Sequence, residues 1–252
     1  MAESQIKMRN IKIILQYEGS RYQGWQRQSS TQNTIQGKLE AILFKMSGEK
    51  IEIQGSGRTD AGVHAIGQVA NFHINTKMTA EEILLYMNQY LPEDIGVIAA
   101  EEVGERFHSR LLAKEKIYCY QVIDSKLPHI FHRRYAYICS ENLNLEKMEL
   151  AAKQLIGTHD FAAFTSAKKG KKKTVRTIKE IKITKDIDQY KFQFRGNGFL
   201  FHMVRIIMGT LLEVGAGRIN PEEIKDILAS GKRELAGPLA PALGLTLMEV
   251  FY

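Results

Sequence analysis

The stretch Ile11-Lys12-Ile13-Ile14-Leu15-Gln16-Tyr17 places Ile11, Ile13, Leu15 and Tyr17 at alternate positions. Side chains alternate sides along a strand, so this pattern predicts a strand with one buried face. A helix is expected next. Asn33 or Thr34 can cap it, Ile35, Leu39, Ile42, Leu43 and Met46 recur at helical spacing, and Gly48 can end it. Ile51 to Gln54 and Gln68 to Ile74 read as strands on either side of Gly55 to Gly67. Thr79-Ala80-Glu81-Glu82 is a capping-box sequence, in which the Thr hydroxyl and the Glu carboxylate each satisfy a backbone N–H. It opens a helix through Tyr90, Pro92 stops that helix, and Ile95 to Ala100 follows as an apolar strand. The order is β-α-β-β-α-β.

The second half repeats this mixture without repeating the sequence. Lys116 to Ile123 reads as a strand, Asn144 to Ile156 as a helix closed by Gly157, and Ile178 to Thr184 and Tyr190 to Arg195 as two more strands. Phe199 to Val214 is apolar all round and predicts a buried helix. Asn220-Pro221-Glu222-Glu223 supplies a cap, a Pro at the first helical position and a closing Glu. Leu245 to Phe251 reads as a final strand. The expected fold class is α+β, two α/β domains with mixed or antiparallel sheets, meeting near residues 105 to 115 and divided as 1–108 and 109–252.

The chain has 252 residues, 44% of them hydrophobic, which excludes a disordered or collagen-like polymer and is enough to build such cores. Two cysteines, Cys119 and Cys139, make no disulfide framework. The start, MAESQIKMRN, has no apolar signal core, and the longest apolar window, Phe199 to Leu212, is interrupted by His202 and Arg205 and is too short to span a bilayer. A reduced, soluble, cytoplasmic protein is expected. Net charge is +7, and its location is informative. Between Asp160 and Lys182 stand eight Lys or Arg against Asp160 and Glu180, so nearly the whole excess lies in one short segment. Such a patch points to nucleic acid, although a solvated loop is the usual fate of a charge run.

Three constellations can carry chemistry. Gly55-Ser56-Gly57-Arg58-Thr59-Asp60-Ala61-Gly62 sets an Arg and an Asp two apart between glycines, without the Gly-Lys-Ser/Thr of a phosphate loop or the spacing of a dinucleotide fingerprint. It is either a turn in which Asp60 bonds its own backbone or a loop that presents Asp60 as a carboxylate. Arg205 lies inside the apolar helix, where an unpaired guanidinium costs several kcal/mol, so a residue distant in sequence must supply an acceptor. That acceptor is either structural or Asp60 itself, whose ionised form Arg205 would favour. On the strand from Lys116, Tyr118 and Tyr120 share a face with Val122, as core residues or as a ring for stacking a base. The histidines are scattered apart from His129 and His132, and no C-x-x-C occurs, so no metal site is expected.

Gly57-Arg58-Thr59-Asp60-Ala61-Gly62-Val63-His64-Ala65 resembles the signature of the TruA family of tRNA pseudouridine synthases. The likeness extends through Tyr17-Glu18-Gly19-Ser20, Gly24-Trp25-Gln26, Gly67 to Phe72, Phe107 to Arg110, Lys116 to Tyr118, His159 to Phe161, Gly198 to Leu200, Met203 to Arg205 and Gly244 to Leu247, in the family's order and over essentially the whole chain. The resemblance implies the pseudouridine synthase fold with a central basic cleft, and isomerisation of uridine to pseudouridine at positions 38, 39 and 40 of the tRNA anticodon stem-loop. It implies a homodimer that uses no cofactor and no metal. By the same resemblance Asp60, Tyr118 and Arg205 are catalytic, with Asp60 as nucleophile or base and Arg205 as its partner. Arg58 holds the flipped nucleotide or fills its place. Substrate contacts are implied for Tyr118, for Phe107, His108, Ser109, Arg110 and Leu111, for Lys168, Lys169, Gly170, Lys171 and Lys172, and for Leu245. Ser109 stands where the family pattern has Ala, and the lysine run is denser than that pattern. A non-catalytic RNA chaperone and a metal-assisted nuclease using Asp60 and His64 are the competing readings. The second lacks the carboxylate cluster such a hydrolase needs.

Overall fold

In the computed structural model, which describes residues 8–167 and 173–252, the alternating stretch is strand β1 (Arg9–Tyr17). Ile11, Ile13 and Leu15 have no exposed surface, and Tyr17 is buried beside them. The chain divides into two compact units, one of Met1–Ala113 with Leu247–Tyr252, the other of Lys114–Thr246.

In the first unit, α1 (Ile35–Ser47) starts where Thr34 accepts the Gly37 N–H at 3.1 Å and ends at Gly48, whose φ of 74° is the left-handed conformation expected of a closing glycine. The strands are β2 (Gln54–Gly55) and β3 (His64–Ile74). Helix α2 (Ala80–Tyr90) has both halves of its capping box, and β4 (Ile95–Val103) follows. Asn88 ties α2 to β4 by donating to the Val97 carbonyl and accepting the Val97 N–H, both at 2.8 Å. β1 pairs antiparallel with β3 on one side and β4 on the other, and β2 adds to β3.

One expected strand is much shorter than Ile51 to Gln54. Ile53 is buried, but its N–H donates to the Glu40 carboxylate at 3.3 Å rather than to a neighbouring strand, so ladder pairing begins only at Gln54. β3 in turn begins at His64 rather than Gln68.

The second unit contains β5 (Glu115–Asp124), β6 (Tyr137–Cys139), α3 (Leu145–Leu155), β7 (Gly157–Asp160), β8 (Val175–Asp186) and β9 (Gln189–Gly196), then α4 (Met203–Gly215) and α5 (Glu223–Ser230). Its strands run in the order β5-β9-β8-β7, all antiparallel, with β6 parallel to the far end of β5. Tyr118 opposes Phe194, Tyr120 opposes Phe192 and Val122 opposes Tyr190, and this aromatic face is buried.

The apolar helix begins at Met203, not Phe199. Gly198 (φ 148°) and His202 (φ 64°) both take left-handed backbone, residues 201–202 lie in a turn closed by the Met203 N–H on the Leu200 carbonyl at 3.0 Å, and Phe201 is 54% exposed. From Met203 onward all of α4 is buried except Arg205 and Glu213.

The last strand, β10 (Leu245–Phe251), returns the chain to the first unit, where it lies beside β3. Gly67 permits that approach, since a Cβ there would stand 2.3 Å from the Met248 carbonyl oxygen. The division therefore differs from the expected 1–108 and 109–252. It falls after Ala113, and Leu247–Tyr252 belong to the first unit.

Candidate active site

Arg58 and Asp60 lie in the loop from β2 to β3, and that loop is held from within the first unit. Thr59 is buried between them, its carbonyl accepting the Trp25 N–H at 3.0 Å and its hydroxyl 2.9 Å from the Tyr17 hydroxyl. The Ser56 N–H donates to the Val69 carbonyl at 2.7 Å, the Gly62 N–H to the Tyr22 carbonyl at 3.3 Å, and the Val63 N–H to the Asp60 carbonyl at 3.1 Å. Burial pushes the Tyr17 hydroxyl up to about 12, so it remains a neutral hydrogen-bonding group at any working pH. His64 is buried and accepts the Gly19 N–H at Nδ1, 3.0 Å away, which makes it part of the frame. Arg58 is exposed and Asp60 half-buried, on either side of the inward-turned Thr59.

The segment after β4 brings a second group of expected residues to the same unit. Arg110 and Arg58 line one hollow of about 170 Å³, with Trp25, Gln26, Gln36 and Glu52 around it. Arg110 and Leu111 are exposed, and His108 and Phe107 are half-buried. His108 Nδ1 accepts the Arg110 and Leu111 N–H groups at 3.1 and 3.4 Å. The Phe107 ring packs on that of Tyr252, 5.0 Å between centroids, with the Lys12 ammonium 5.7 Å from the Phe107 centroid.

Ser109 differs from its neighbours. It is 0% exposed, its N–H donates to Asn71 Oδ1 at 2.8 Å, its hydroxyl donates to the Gln54 carbonyl, and its own carbonyl accepts from the Tyr252 hydroxyl at 2.7 Å. A side chain so enclosed anchors the segment on β2 and presents no surface to a substrate.

In the second unit, Tyr118 is 8% exposed and stands edge-on to Phe199, 5.3 Å between centroids. Arg205 is half-buried. One acceptor supplied by a distant residue is the Ala240 carbonyl, which takes the Arg205 Nε–H at 2.8 Å, while the Ala240 N–H returns a bond to the Arg205 carbonyl at 3.2 Å. The segment carrying Ala240 is clamped along α4. The Gly237 N–H donates to Thr210 Oγ1 at 2.9 Å, the Tyr120 hydroxyl donates to the Pro241 carbonyl at 2.8 Å, and a Cβ on Gly209 would sit 1.7 Å from the Pro238 carbonyl oxygen. Leu245, first residue of β10, is buried. Lys168, Lys169, Gly170, Lys171 and Lys172 lie outside the described residues.

The supporting roles of several residues escape a reading of the sequence: those of Tyr17, Trp25 and Gln68 around the Asp60 loop, and of Thr210, Tyr120 and Ala240 around Arg205. Only the Tyr17, Trp25 and Gln68 motifs give a signal, through their place in the family pattern. Among the described residues no group of three His, Cys, Asp or Glu is placed to hold a metal ion, and no helix is long and apolar enough to cross a membrane.

Comparison with known proteins adds independent evidence. A family model described as tRNA pseudouridine synthase matches residues 13–110 and 151–252. A tRNA pseudouridine synthase A from Bacillus sp. (strain KSM-64) is 47% identical, the match covering 97% of this chain and 100% of that protein. A tRNA pseudouridine synthase A 1 from Clostridium tetani is also 47% identical with the same coverage, and a tRNA pseudouridine synthase A from Acetivibrio thermocellus is 44% identical over 97% of this chain. With the family model matching both units and these relatives aligned end to end, the chain belongs to the tRNA pseudouridine synthase family, isomerases that turn uridine into pseudouridine in tRNA.

Proposed function

We propose that the enzyme acts on uridines 38, 39 and 40 of the anticodon stem-loop, with Asp60 as its catalytic carboxylate, Arg205 as the cation that favours the ionised form of Asp60, and Tyr118 as the ring against the target base. The observation that carries this reading is the Asp60 loop. Its backbone is fixed by Trp25, Tyr22 and Val69 and its Thr59 is bonded to a buried tyrosine, an investment in order that a solvated turn does not need.

The reaction balances without any added reagent. The N1–C1′ bond breaks, the uracil turns while it is held, C5 bonds to C1′, the C5 proton leaves to solvent and N1 takes up a proton. Asp60 serves either by attacking C1′ or by taking the 2′ proton to give a glycal, and it must be ionised for both. The target uridine must first leave its stack, at a cost of a few kcal/mol that contacts to the RNA offset. Arg58 and Arg110, which line one hollow of the first unit, suit that task, as does the lysine run. The working enzyme is a cytoplasmic homodimer on this reading.

Because C5 loses its hydrogen, tRNA carrying tritium at uracil C5 releases label to water on each turnover. Asp60→Asn should abolish release while tRNA affinity stays within about threefold of wild type. Substantial release by Asp60→Asn removes Asp60 from the catalytic role.

A further inference from the structure

One of the ties between the sheet and the loop that carries Asp60 is a side-chain amide. Gln68 sits in β3 with no exposed surface. Its Oε1 accepts from the Ser56 hydroxyl at 2.7 Å, and its Nε2 donates to the Gly57 carbonyl at 3.0 Å and to the Tyr17 hydroxyl at 3.3 Å. The Tyr17 hydroxyl is in turn 2.9 Å from Thr59 Oγ1. Residues 56, 57 and 59 are therefore all held, directly or through Tyr17, by one side chain.

We infer that Gln68 is a positioning residue for the isomerisation, setting through Ser56, Gly57 and the Tyr17–Thr59 pair where the Asp60 carboxylate stands relative to the substrate ribose. The inference rests on the reading of Asp60 as the catalytic carboxylate.

The chemistry of the position selects glutamine. The network asks for one acceptor, toward Ser56, and two donors, toward Gly57 and Tyr17, and a primary amide carries both kinds in one planar group. A carboxylate has no donor for the Gly57 carbonyl, a thioether has none for either partner, and asparagine is shorter by one methylene. All four polar members, Tyr17, Ser56, Thr59 and Gln68, are buried, so water does not readily replace a lost partner. A network of this kind either keeps its geometry or releases the loop, and a catalytic group displaced by a fraction of an ångström loses rate before it loses substrate.

The test compares Gln68→Met and Gln68→Asn with wild type in single-turnover tritium release at saturating tRNA, at a temperature well below each variant's melting midpoint, with tRNA affinity measured in parallel. The single-turnover rate should fall by about 10-fold or more while affinity stays within about twofold. If Gln68→Met does not fold, Thr59→Val and Thr59→Ser carry the test. The first keeps the shape and loses the hydroxyl, and the second keeps the hydroxyl and should retain most of the rate that the first loses. Folded variants with a rate within twofold of wild type overturn the inference, as does a rate loss matched by an equal loss of affinity. Asp60→Asn run alongside separates the two levels. An inactive Asp60→Asn beside a fully active Gln68→Met sinks the positioning role alone, whereas an active Asp60→Asn sinks the reading on which it rests.

Discussion

Substituting Gly24 by Ala should damage stability and chemistry together, and by amounts that the local geometry sets. Gly24 has φ 86°, and a Cβ there would lie 2.8 Å from the Thr59 carbonyl oxygen. Left-handed backbone costs an alanine about 1 kcal/mol. The contact is roughly 0.6 Å short of ordinary van der Waals distance, so Thr59 and Gly24 must move apart. That separation strains the bond from the adjacent Trp25 N–H to the same carbonyl, now 3.0 Å, which is worth about 1 kcal/mol. The sum, about 2 kcal/mol, lowers the thermal midpoint of a chain this size by about 4–8 °C. Asp60 is the next residue, and a shift of about half an ångström there costs on the order of 10-fold in turnover. Thermal denaturation followed by circular dichroism and single-turnover tritium release measure the two effects. An unchanged midpoint would refute the packing argument. A lowered midpoint with wild-type turnover in the folded protein would refute the claim that Thr59 sets the position of Asp60.

Arg205→Leu suits the apolar surroundings of α4 and should fold, losing about 1 kcal/mol with the bond to Ala240, yet turnover should drop by about 10²–10³-fold. Wild-type rates would make the arginine purely structural. The Lys179 ammonium, and then the Arg195 guanidinium, hold the Glu115 carboxyl below its usual range. A depressed carboxylate stabilises the fold above its unfolded pKa and loses that contribution as pH falls through the folded value. Glu115→Gln should therefore flatten the fall of the denaturation midpoint between about pH 5 and pH 3, and an identical pH dependence would show the ion pairs to be without consequence. Six cations from Lys168 to Arg176 on RNA phosphates give a slope of roughly −4 to −5 in log affinity against log salt. Replacing the lysines of Lys168 to Lys173 with Ala should make it shallower, and an unchanged slope would make the run a bystander.

What the sequence made legible was whatever depends on neighbours along the chain. The alternation in β1, the Thr34 cap, the Thr79–Glu82 box and the shared face of Tyr118, Tyr120 and Val122 are local patterns, and the structure has each of them. Long-range partners were not legible. Ile53 looks like a strand residue, but a helix carboxylate takes its N–H. Phe199 to Leu200 continue the apolar run of α4, yet the left-handed His202 keeps them out of the helix, because hydrophobicity alone does not distinguish an entering turn from a first turn. That Arg205 needs an acceptor followed from its setting, whereas the identity of Ala240 depends on a segment folded back over α4. The Asp60 and Arg58 motif was recognisable through the family pattern. The function of Gln68 was not, since a glutamine in a strand carries no periodic signal of the loop it holds. Ser109 was expected among the substrate contacts, and its burial against β2 and Tyr252 places it in the frame beneath them.

On the proposed reading, this chain isomerises uridine in the anticodon stem-loop through Asp60. That activity is tested most directly by mapping pseudouridine in an unmodified tRNA transcript with uridines at 38, 39 and 40, incubated with wild type or Asp60→Asn in the presence of EDTA. Conversion should be confined to that stem-loop, unaffected by the chelator and absent with the mutant. Conversion elsewhere in the tRNA, or equal conversion by Asp60→Asn, would contradict the proposed reading.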